Sequence, residues 1–360
     1  MTKRANSKVG WMKAALAFVG AAGLALSTVA CAGETVAPAD VEIVQTSEAK
    51  IYGGERDEAA TLTGVVALKV GTGQTFELCT GALVAPNLVL TARHCVSKAL
   101  SPTVVCDENG RSGNGDHVAA DVDAETIAIY TGADPQFARA PRARGKAVVH
   151  GGGNVLCDAD IALVVLDEAL DDVPVLPVRV GQPIRAGETI KTIGYGRNDQ
   201  KLPTGTRMLK DGVGVLAIGK GVSASKTPLG KHEFETGKAT CQGDSGGPAI
   251  SEKTGAVIGV VSRGGECNDD FGHIYTSTVD QQALFAKAFA AVGAAPALET
   301  GSTLEPKKSA TPAASEPAPP AGGQGGCSQS GGASHGGSFA VVVAGVLGLA
   351  LLRNRRSAKR

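Results

Sequence analysis

The sequence predicts an all-β domain that ends in one helix, and two patterns support this prediction. Short runs rich in Val, Ile and Leu follow one another over residues 51–290, with Gly, Pro, Asn and Asp between them. Apolar runs of this kind, bounded by turn residues, are typical of β-strands. No long helical periodicity alternates with them. Only residues 280–293 differ, because Ala, Leu and Phe recur there at the spacing of an amphipathic helix.

The runs assigned to strands are distributed along the whole of this region. In chain order they are GVVALKV (64–70), ALVAPNLVLTA (82–92), TIAIYTG (126–132), DIALVVLD (160–167), TIKTIGYG (189–196), GVGVLAI (212–218) and GAVIGVVSRGG (255–265). The composition suits a globular protein, since 43% of the 360 residues are hydrophobic. Basic and acidic residues balance at 35 each, so the charge gives no reason to expect nucleic acid as a partner.

The first 32 residues have the features of an export signal. Basic residues precede an apolar run over 14–30, and small residues follow it. Two cleavage sites fit, either before Cys31, as in bacterial lipoproteins, or after Ala32. Lipidation of Cys31 is left open, because Thr28 stands where lipoprotein signals usually have Leu. The segment predicts an exported protein.

The far end of the chain changes composition twice. Residues 294–337 are rich in Pro, Ala, Ser, Thr and Gly, and they predict a flexible linker because they offer too little apolar surface to fold. Residues 338–360 join an apolar run to a basic end, which suits a membrane anchor. Over 326–360 this end resembles the MYXO-CTERM sorting tail of bacterial surface proteins. We expect a location at the cell surface or outer envelope, or outside the cell if the tail is processed; whether it is cleaved is left open.

The cysteines divide in the same way, because Cys31 and Cys327 lie in the two terminal segments. An even number remains between them, which in an exported chain predicts three disulfides. A zinc site is the competing interpretation, but no close Cys pair or Cys/His cluster has the spacing of zinc ligands. The six cysteines are Cys79, Cys95, Cys106, Cys157, Cys241 and Cys267.

Three short motifs supply residues for nucleophilic catalysis. VLTARHC places His94 after a strand, CDADIALVVLD places Asp160 before another, and CQGDSGGP places Ser245 in a Gly-rich turn. The order His, Asp, Ser is one of several known for hydrolase triads. Asp158 is a second candidate carboxylate, but Asp160 directly precedes the apolar strand, so we expect Asp158 to be a solvated loop residue.

The chemistry explains why these residue types are needed together. A serine hydroxyl is a poor nucleophile at neutral pH, so an imidazole must take its proton and return it to the leaving amine. A carboxylate must hold the imidazole in the right tautomer and stabilise its charged form. Backbone N–H groups must face the oxygen that becomes negative, and the glycines around Ser245 let the N–H groups of Gly243 and Ser245 converge there.

These motifs resemble those of the trypsin/chymotrypsin family of serine peptidases. LTARHC, DIALV and GDSGGP match the three family signatures in order, and the likeness extends over residues 51–293. The resemblance implies two six-stranded antiparallel β-barrels with the active site between them. It implies His94 as general base, Asp160 as orienting carboxylate and Ser245 as nucleophile, with protein or peptide substrates and no cofactor.

Further residues take their roles from the same resemblance. Ser262 matches the serine that supports the aspartate, and Gly264 matches the residue that binds the substrate backbone. Arg93 and Arg263 depart from the family, which usually has Ala beside the base and an aromatic residue in the substrate channel. Two family disulfides match Cys79–Cys95 and Cys241–Cys267, which leaves Cys106–Cys157 as the third.

The stretch KIYGGE (50–55) resembles the activation site of the family. Cleavage after Lys50 frees the α-amino group of Ile51, which in the family pairs with the aspartate before the nucleophile, here Asp244. Such a buried ion pair orders the oxyanion hole, since either charge alone is costly. The resemblance implies a propeptide over 33–50, an inactive precursor and an activating trypsin-like peptidase.

The resemblance also identifies a specificity pocket. Ala239 takes the floor position, where an Asp selects Arg or Lys, so we expect no preference for basic residues. Thr240 adjoins the floor, and Gly264 leaves the entrance open. His273 falls where relatives have Gly or a basic residue, although a loop one residue short would put Gly272 there. Two preferences stay open, for acidic side chains through His273 or for apolar ones over Ala239.

Two more alternatives remain. The loop over 107–123 is rich in Asp, Asn and Gly, and some relatives bind calcium there. We expect a solvated loop, because no ligand spacing is met, and we expect no metal. The competing functional hypothesis is an inactive, surface-tethered binding or adhesion protein, since some relatives that lost triad residues act in that way.

Overall fold

The computed structural model describes residues 51, 53–57, 63–72, 76–198, 202–264 and 266–305. The chain divides into two compact units, 1–306 and 307–360, and all of the described residues lie in the first. The predicted signal, propeptide, Lys50 and sorting tail lie outside the described residues, as does the linker beyond residue 305. Within the described part, no helix is both long and apolar enough to cross a membrane.

The elements that the structure describes are mostly short strands. In chain order the strands are β1 Glu55–Arg56, β2 Val65–Val70, β3 Glu77–Ala85, β4 Leu88–Thr91, β5 Ser97–Ala99, β6 Val118–Asp121, β7 Ile127–Tyr130, β8 Ala143–His150, β9 Ala162–Leu166, β10 Thr189–Gly194, β11 Met208–Ile218, β12 Gly221–Val222, β13 Pro228–Leu229, β14 Glu233–Thr236, β15 Pro248–Ser251, β16 Val257–Arg263 and β17 His273–Ser277. The helical elements are 3-10 turns at His94–Val96 and Ala124–Thr126, and α1 at Gln282–Val292.

The first barrel contains six antiparallel strands in the order β2-β3-β4-β9-β8-β7. Pairing of β2 with β7, with Leu68 opposite Ile129, closes it. Alternate side chains of each strand point inwards, as the pleat requires, and fill the interior. Val66, Leu68, Leu83 and Ile129 are all fully buried in this core.

The second barrel uses the order β11-β10-β15-β16-β17-β14, and the pairing of β11 with β14 closes it. β1 extends this sheet along β11. Phe234 and Tyr275 stack in its core with ring centroids 5.2 Å apart. The predicted all-β fold with two six-stranded barrels is therefore confirmed.

The C-terminal helix is also confirmed, because α1 occupies most of the predicted range. Its buried side chains include Phe285 and Phe289, and the helix lies against strands of the first barrel. Gly293 ends it with a left-handed φ of 64°, a conformation that glycine adopts without steric cost.

The chain after α1 differs from the predicted linker. Residues 297–303 run alongside residues 178–180, where the N–H of Val178 donates to the carbonyl of Ala297 at 2.9 Å. The buried guanidinium of Arg179 pairs with the carboxylate of Glu299 through Nε and Oε2 at 2.6 Å. The Pro- and Ala-rich composition did not predict this docked segment. Because the segment contacts residues 178–180, the domain extends to at least residue 305.

Three disulfides join Cys79 to Cys95, Cys106 to Cys157, and Cys241 to Cys267. These are the expected pairs. Among the described residues, the group Cys79, His94 and Cys95 has metal-binding atoms close together, but both sulfurs are bonded to each other. A disulfide sulfur is not a thiolate ligand, so this group does not form a metal site.

Candidate active site

His94 and Asp160 are brought together by two paired strands. β4 ends at Thr91, which lies opposite Ala162 of β9, so the residues just beyond these strand ends are neighbours. Nδ1 of His94 lies 2.8 Å from Oδ2 of Asp160, and the backbone N–H of His94 donates to Oδ1 at 2.9 Å. These two contacts fix the carboxylate relative to the imidazole.

Ser262 of β16 completes the surroundings of Asp160. Its hydroxyl donates to Oδ2 of Asp160 at 2.7 Å, as the family resemblance implied. Burial would raise the pKa of Asp160, but His94 and Ser262 outweigh it and hold that pKa below its usual value. Burial would likewise lower the pKa of His94, yet Asp160 outweighs it and raises that pKa. The pair therefore favours an ionised carboxylate beside the imidazole.

Ser245 lies in the turn before β15, and Gly243 allows the turn its shape. Gly243 has a φ of 99°, and a Cβ there would lie 2.7 Å from the Cα of Gly196, so a side chain is excluded. The hydroxyl of Ser245 makes no hydrogen bond to His94 among the described residues. The carbonyl of Ser245 accepts the N–H of Thr80 at 2.8 Å, which attaches the turn to the first barrel.

The N–H groups of Gly243 and Ser245 donate no hydrogen bond within the described part of the chain. The carbonyl of Gln242 accepts the N–H of Arg197 at 2.8 Å. Because a trans peptide places its N–H opposite its C=O, the N–H of Gly243 points the other way. Gly243 and Ser245 therefore each present a backbone N–H without a partner in this part of the chain, as an oxyanion hole requires.

Asp244 points away from this surface and into the second barrel. Its buried carboxylate accepts the N–H groups of Gly196 at 2.8 Å and Cys241 at 2.9 Å. No cation among the described residues pairs with it, and burial raises its pKa to about 7. Ile51 is itself buried and has a φ of 26°, which is strained for a β-branched residue.

A small cavity of about 150 Å³ adjoins Ser245 and includes Thr240, Gly264 and His273 among its lining residues. Ala239, expected at its floor, instead packs in the core of the second barrel with Phe234 and Tyr275. Its neighbour Thr240 lines the cavity instead, together with His273.

His273 uses both ring nitrogens within the protein. Nδ1 lies 3.0 Å from the hydroxyl of Thr240, and Nε2 lies 3.0 Å from the carbonyl of Asp269. A carbonyl can only accept, so Nε2 carries the proton and Nδ1 is the acceptor for Thr240. Burial also lowers the pKa of His273. The ring is therefore neutral and has no free donor for a substrate carboxylate.

A larger cavity of about 620 Å³ continues from the imidazole along the outer face of the site. Its lining includes His94, Ala99, Val104, Leu156 and Arg263. Cys106 and Cys157 tie two segments beside this cavity together.

The structure overturns the expectation for Asp158. Its carboxylate accepts the N–H groups of Lys231 at 3.0 Å and His232 at 2.6 Å, so it is not a solvated loop residue. It lies beside Glu233, a buried residue that the sequence analysis missed. No signal in the sequence indicated this burial, since Glu233 and Glu235 flank Phe234 in a short strand where alternation predicts that both are exposed.

The loop over 107–123 makes its own internal hydrogen bonds. Oδ1 of Asp107 accepts the N–H groups of Asn109 and Arg111, both at 2.8 Å. The buried ring of His117 accepts the N–H of Leu156 at 3.1 Å and lies 2.8 Å from Oδ1 of Asn114. These contacts use Oδ1 of Asp107 and Oδ1 of Asn114, two of the oxygen atoms that were considered for calcium.

Two barrels, a His–Asp pair and a Gly-rich serine turn with two N–H groups that have no partner among the described residues are features of trypsin-like serine peptidases. Residues 51–282 match the model of the Trypsin family, which is more than half of the chain, and the chain belongs to this family. The family establishes a serine-type peptidase fold and protein or peptide substrates. Three disulfides on such a fold are typical of secreted proteases.

The chain is similar to peptidases from distant organisms. It is 28% identical over 194 residues to the cercarial protease of Schistosoma mansoni, covering 52% of this chain and 70% of that protein. It is 27% identical over 225 residues to the trypsin of Saccharopolyspora erythraea, covering 60% and 88%. It is 27% identical over 241 residues to the rat (Rattus norvegicus) mannan-binding lectin serine protease 1, covering 61% of this chain and 32% of that longer protein.

Proposed function

We propose that the protein is an exported serine endopeptidase in which His94, Asp160 and Ser245 act as the catalytic triad. The observation that carries this proposal is the pair of free N–H groups of Gly243 and Ser245 beside an oriented His94. A binding protein would have no need to leave these backbone donors without partners. The competing adhesion hypothesis has no comparable observation in its favour.

The proposed reaction uses each of these groups once. His94 takes the proton of Ser245 as its oxygen attacks the peptide carbonyl, and Asp160 stabilises the charged imidazole. The N–H groups of Gly243 and Ser245 bind the oxygen that becomes negative. His94 then gives the proton to the leaving amine, and water releases the acyl group from Ser245 by the same steps in reverse order.

We propose that the protein is made as a precursor. A free ammonium on Ile51, created by cleavage after Lys50, would supply the cation that Asp244 lacks. The buried side chain of Ile51 supports this, because it already occupies the interior before the cut. Cleavage would also remove the peptide bond that defines the strained φ of Ile51. An activating peptidase that cuts after Lys is therefore part of the proposal.

We propose that the pocket accepts uncharged side chains of small or medium size. The neutral His273 limits its depth and has no free donor. The guanidinium of Arg263 is paired with Glu233, with Nη2 at 2.8 Å from Oε2, so it is not available to a substrate carboxylate. Between the two preferences left open by the sequence, these contacts favour the apolar one. The protein is then unable to cut after its own Lys50.

The location remains as the sequence predicts it. We propose export through residues 1–32 and retention at the envelope through residues 338–360, with a linker between the domain and the tail. The docked residues 294–305 belong to the domain, so the linker of this proposal starts beyond them.

The direct test is peptide hydrolysis by the chain after cleavage behind Lys50. Wild-type protein should hydrolyse a peptide library, and the Ser245→Ala variant, which keeps the backbone donors, should lose activity by at least about 10³-fold. Circular dichroism and thermal unfolding of both proteins provide the control for folding. Equal hydrolysis by the two proteins would contradict the proposal.

A further inference from the structure

Glu233 of β14 joins two backbone segments that hold Asp160. Its fully buried carboxylate accepts the N–H of Asp158 at 3.0 Å and a two-fold contact from the guanidinium of Arg263. Asp158 lies two residues before Asp160, and Arg263 directly follows Ser262. One carboxylate thus contacts the chain on both sides of the candidate triad aspartate.

The segment before Asp160 has a second attachment to the same region. Asp158 adopts a left-handed φ of 63° and binds the N–H groups of Lys231 and His232. The N–H of Gly230 donates to Oε2 of Glu233 at 2.9 Å, and a Cβ on Gly230 would lie 2.2 Å from Oδ1 of Asp158. The positions of Asp158 and Glu233 are therefore fixed relative to each other.

These contacts form a continuous series that starts at Asp160 and returns to Asp158, two residues before it. The hydroxyl of Ser262 donates to Asp160, Arg263 follows in the chain, Arg263 pairs with Glu233, and Glu233 binds Asp158. We call these five residues the Glu233 clamp. Its segment 158–160 leads into β9 of the first barrel, whereas its other members belong to strands of the second. The clamp consequently links the two barrels beside the triad.

A buried ion pair is a poor source of stability, because desolvation of both charges offsets their attraction. The pair of Arg263 and Glu233 instead fixes the orientation of both side chains, since a bidentate guanidinium–carboxylate contact holds both partners in one plane. We propose that Glu233 is a positioning residue that sets the place of Asp160 against His94 and Ser262, acting through Asp158 and Arg263. This inference rests on the proposed peptidase function.

The test compares Glu233 with Glu188, a largely buried glutamate just before β10 that also pairs with an arginine. Glu188 contacts Arg179, with Nη1 2.9 Å from Oε2, and this pair has no connection to Asp160. The variants Glu233→Gln and Glu188→Gln therefore make the same chemical change at buried ion pairs. Both are measured in the full chain after cleavage behind Lys50, at a temperature where each is folded.

We expect kcat of Glu233→Gln to fall about 10- to 100-fold, because small misplacement of catalytic groups has effects of this size. The acid limb of its kcat/KM profile should move to lower pH, since a displaced Asp160 no longer raises the pKa of His94 to the same extent. Glu188→Gln should keep kcat within about twofold and leave the acid limb in place. If Glu233 had only a structural role, the two variants would not differ in kcat or in the position of the acid limb.

Two further variants keep the test decisive. If Glu233 and Arg263 act as a unit, adding Glu233→Gln to Arg263→Gln should lower kcat by much less than Glu233→Gln does alone. If Glu233→Gln does not fold, Asp158→Asn takes its place, and a fall in kcat with the same shift of the acid limb is expected.

The inference is overturned if Glu233→Gln matches Glu188→Gln in kcat and pH profile, or if it changes KM alone. In the event that Glu233→Gln does not fold, wild-type kcat and pH profile in Asp158→Asn overturn it. An inactive wild-type protein would instead refute the proposed peptidase function, so the two failures are distinguishable.

Discussion

The carboxylate of Asp244 lies 2.8 Å from the backbone N–H of Gly196, and no cation among the described residues approaches it. A Cβ on Gly196 would lie 2.7 Å from that carboxylate, so the two residues fit together only with glycine. A buried carboxylate held by N–H groups alone carries an uncompensated charge. Its pKa of about 7 expresses that cost.

The pH dependence of stability should therefore differ between the precursor and the cleaved chain. In the precursor the pKa of Asp244 is raised, so its contribution to stability is complete below the ordinary carboxyl pKa and is lost as the pH rises through about 7. Pairing with the free ammonium of Ile51 removes this loss. We expect the Tm of the cleaved chain to exceed that of the precursor by more at pH 8 than at pH 5.

The variant Asp244→Asn is the control for this comparison. It has no titrating carboxyl, so the pH-dependent difference in Tm should disappear, and the cleaved variant should be folded but nearly inactive. A wild-type difference in Tm that stays constant from pH 5 to pH 8 would argue against pairing at Asp244.

The raised pKa of His94 predicts where activity is lost in acid. The imidazole must be neutral to accept the proton of Ser245, so activity falls as the pH drops through its pKa. Asp160 raises this pKa, and the acid limb of kcat/KM should lie above the ordinary histidine value of about 6.5. The variant Asp160→Asn should lower kcat by about 10⁴-fold. A wild-type acid limb below 6 would be incompatible with the contact at 2.8 Å.

Substitution of His273 should deepen the specificity pocket. The variant His273→Gly removes a ring that lines the small cavity beside Ser245, so cleavage after Phe or Tyr should increase relative to cleavage after Ala or Val. Thr240→Val removes only the hydroxyl partner of Nδ1 and should change the profile less. Peptide-library cleavage measures both. A wild-type preference for Glu or Asp that His273→Gly abolishes would show that the ring does bind acidic side chains.

The segment after α1 should stabilise the domain. Removal of residues 294–360 takes Glu299 away from Arg179, which keeps Glu188 as a partner, so the unfolding free energy should fall by less than the about 3–5 kcal/mol that a fully unpaired buried charge costs. Removal of residues 306–360 leaves the pair intact and should not change the unfolding free energy of the domain. Urea denaturation of the two truncated proteins distinguishes these outcomes, and equal midpoints would show that the segment contributes nothing.

The sequence was sufficient for those features that depend on local pattern. Apolar runs and turn residues predicted the strands, and helical spacing predicted α1, because both periodicities follow from local backbone geometry. The motifs around His94 and Asp160 predicted that these two residues lie together, and the structure shows their contact at 2.8 Å. The role of Ser245 beside them stays a prediction.

Other features depend on contacts between distant segments, and the sequence could not reveal them. Asp158 looked solvated because its partners, the N–H groups of Lys231 and His232, are more than 70 residues away. The docking of residues 297–303 depends on the pairing of Glu299 with Arg179, and composition alone conceals it. The packing of Ala239 in the core of the second barrel depends on the direction of its side chain, which a motif does not specify.

The most direct measurement of the central claim is covalent labelling of the folded protein by a fluorophosphonate, located by mass spectrometry. The reagent reacts only with a serine that a neighbouring base activates. After cleavage behind Lys50 we expect stoichiometric labelling of Ser245, little labelling of the uncleaved precursor, and none in Asp160→Asn over the same time. Absence of label on the cleaved, folded wild-type protein would contradict the assignment of Ser245 as a nucleophile.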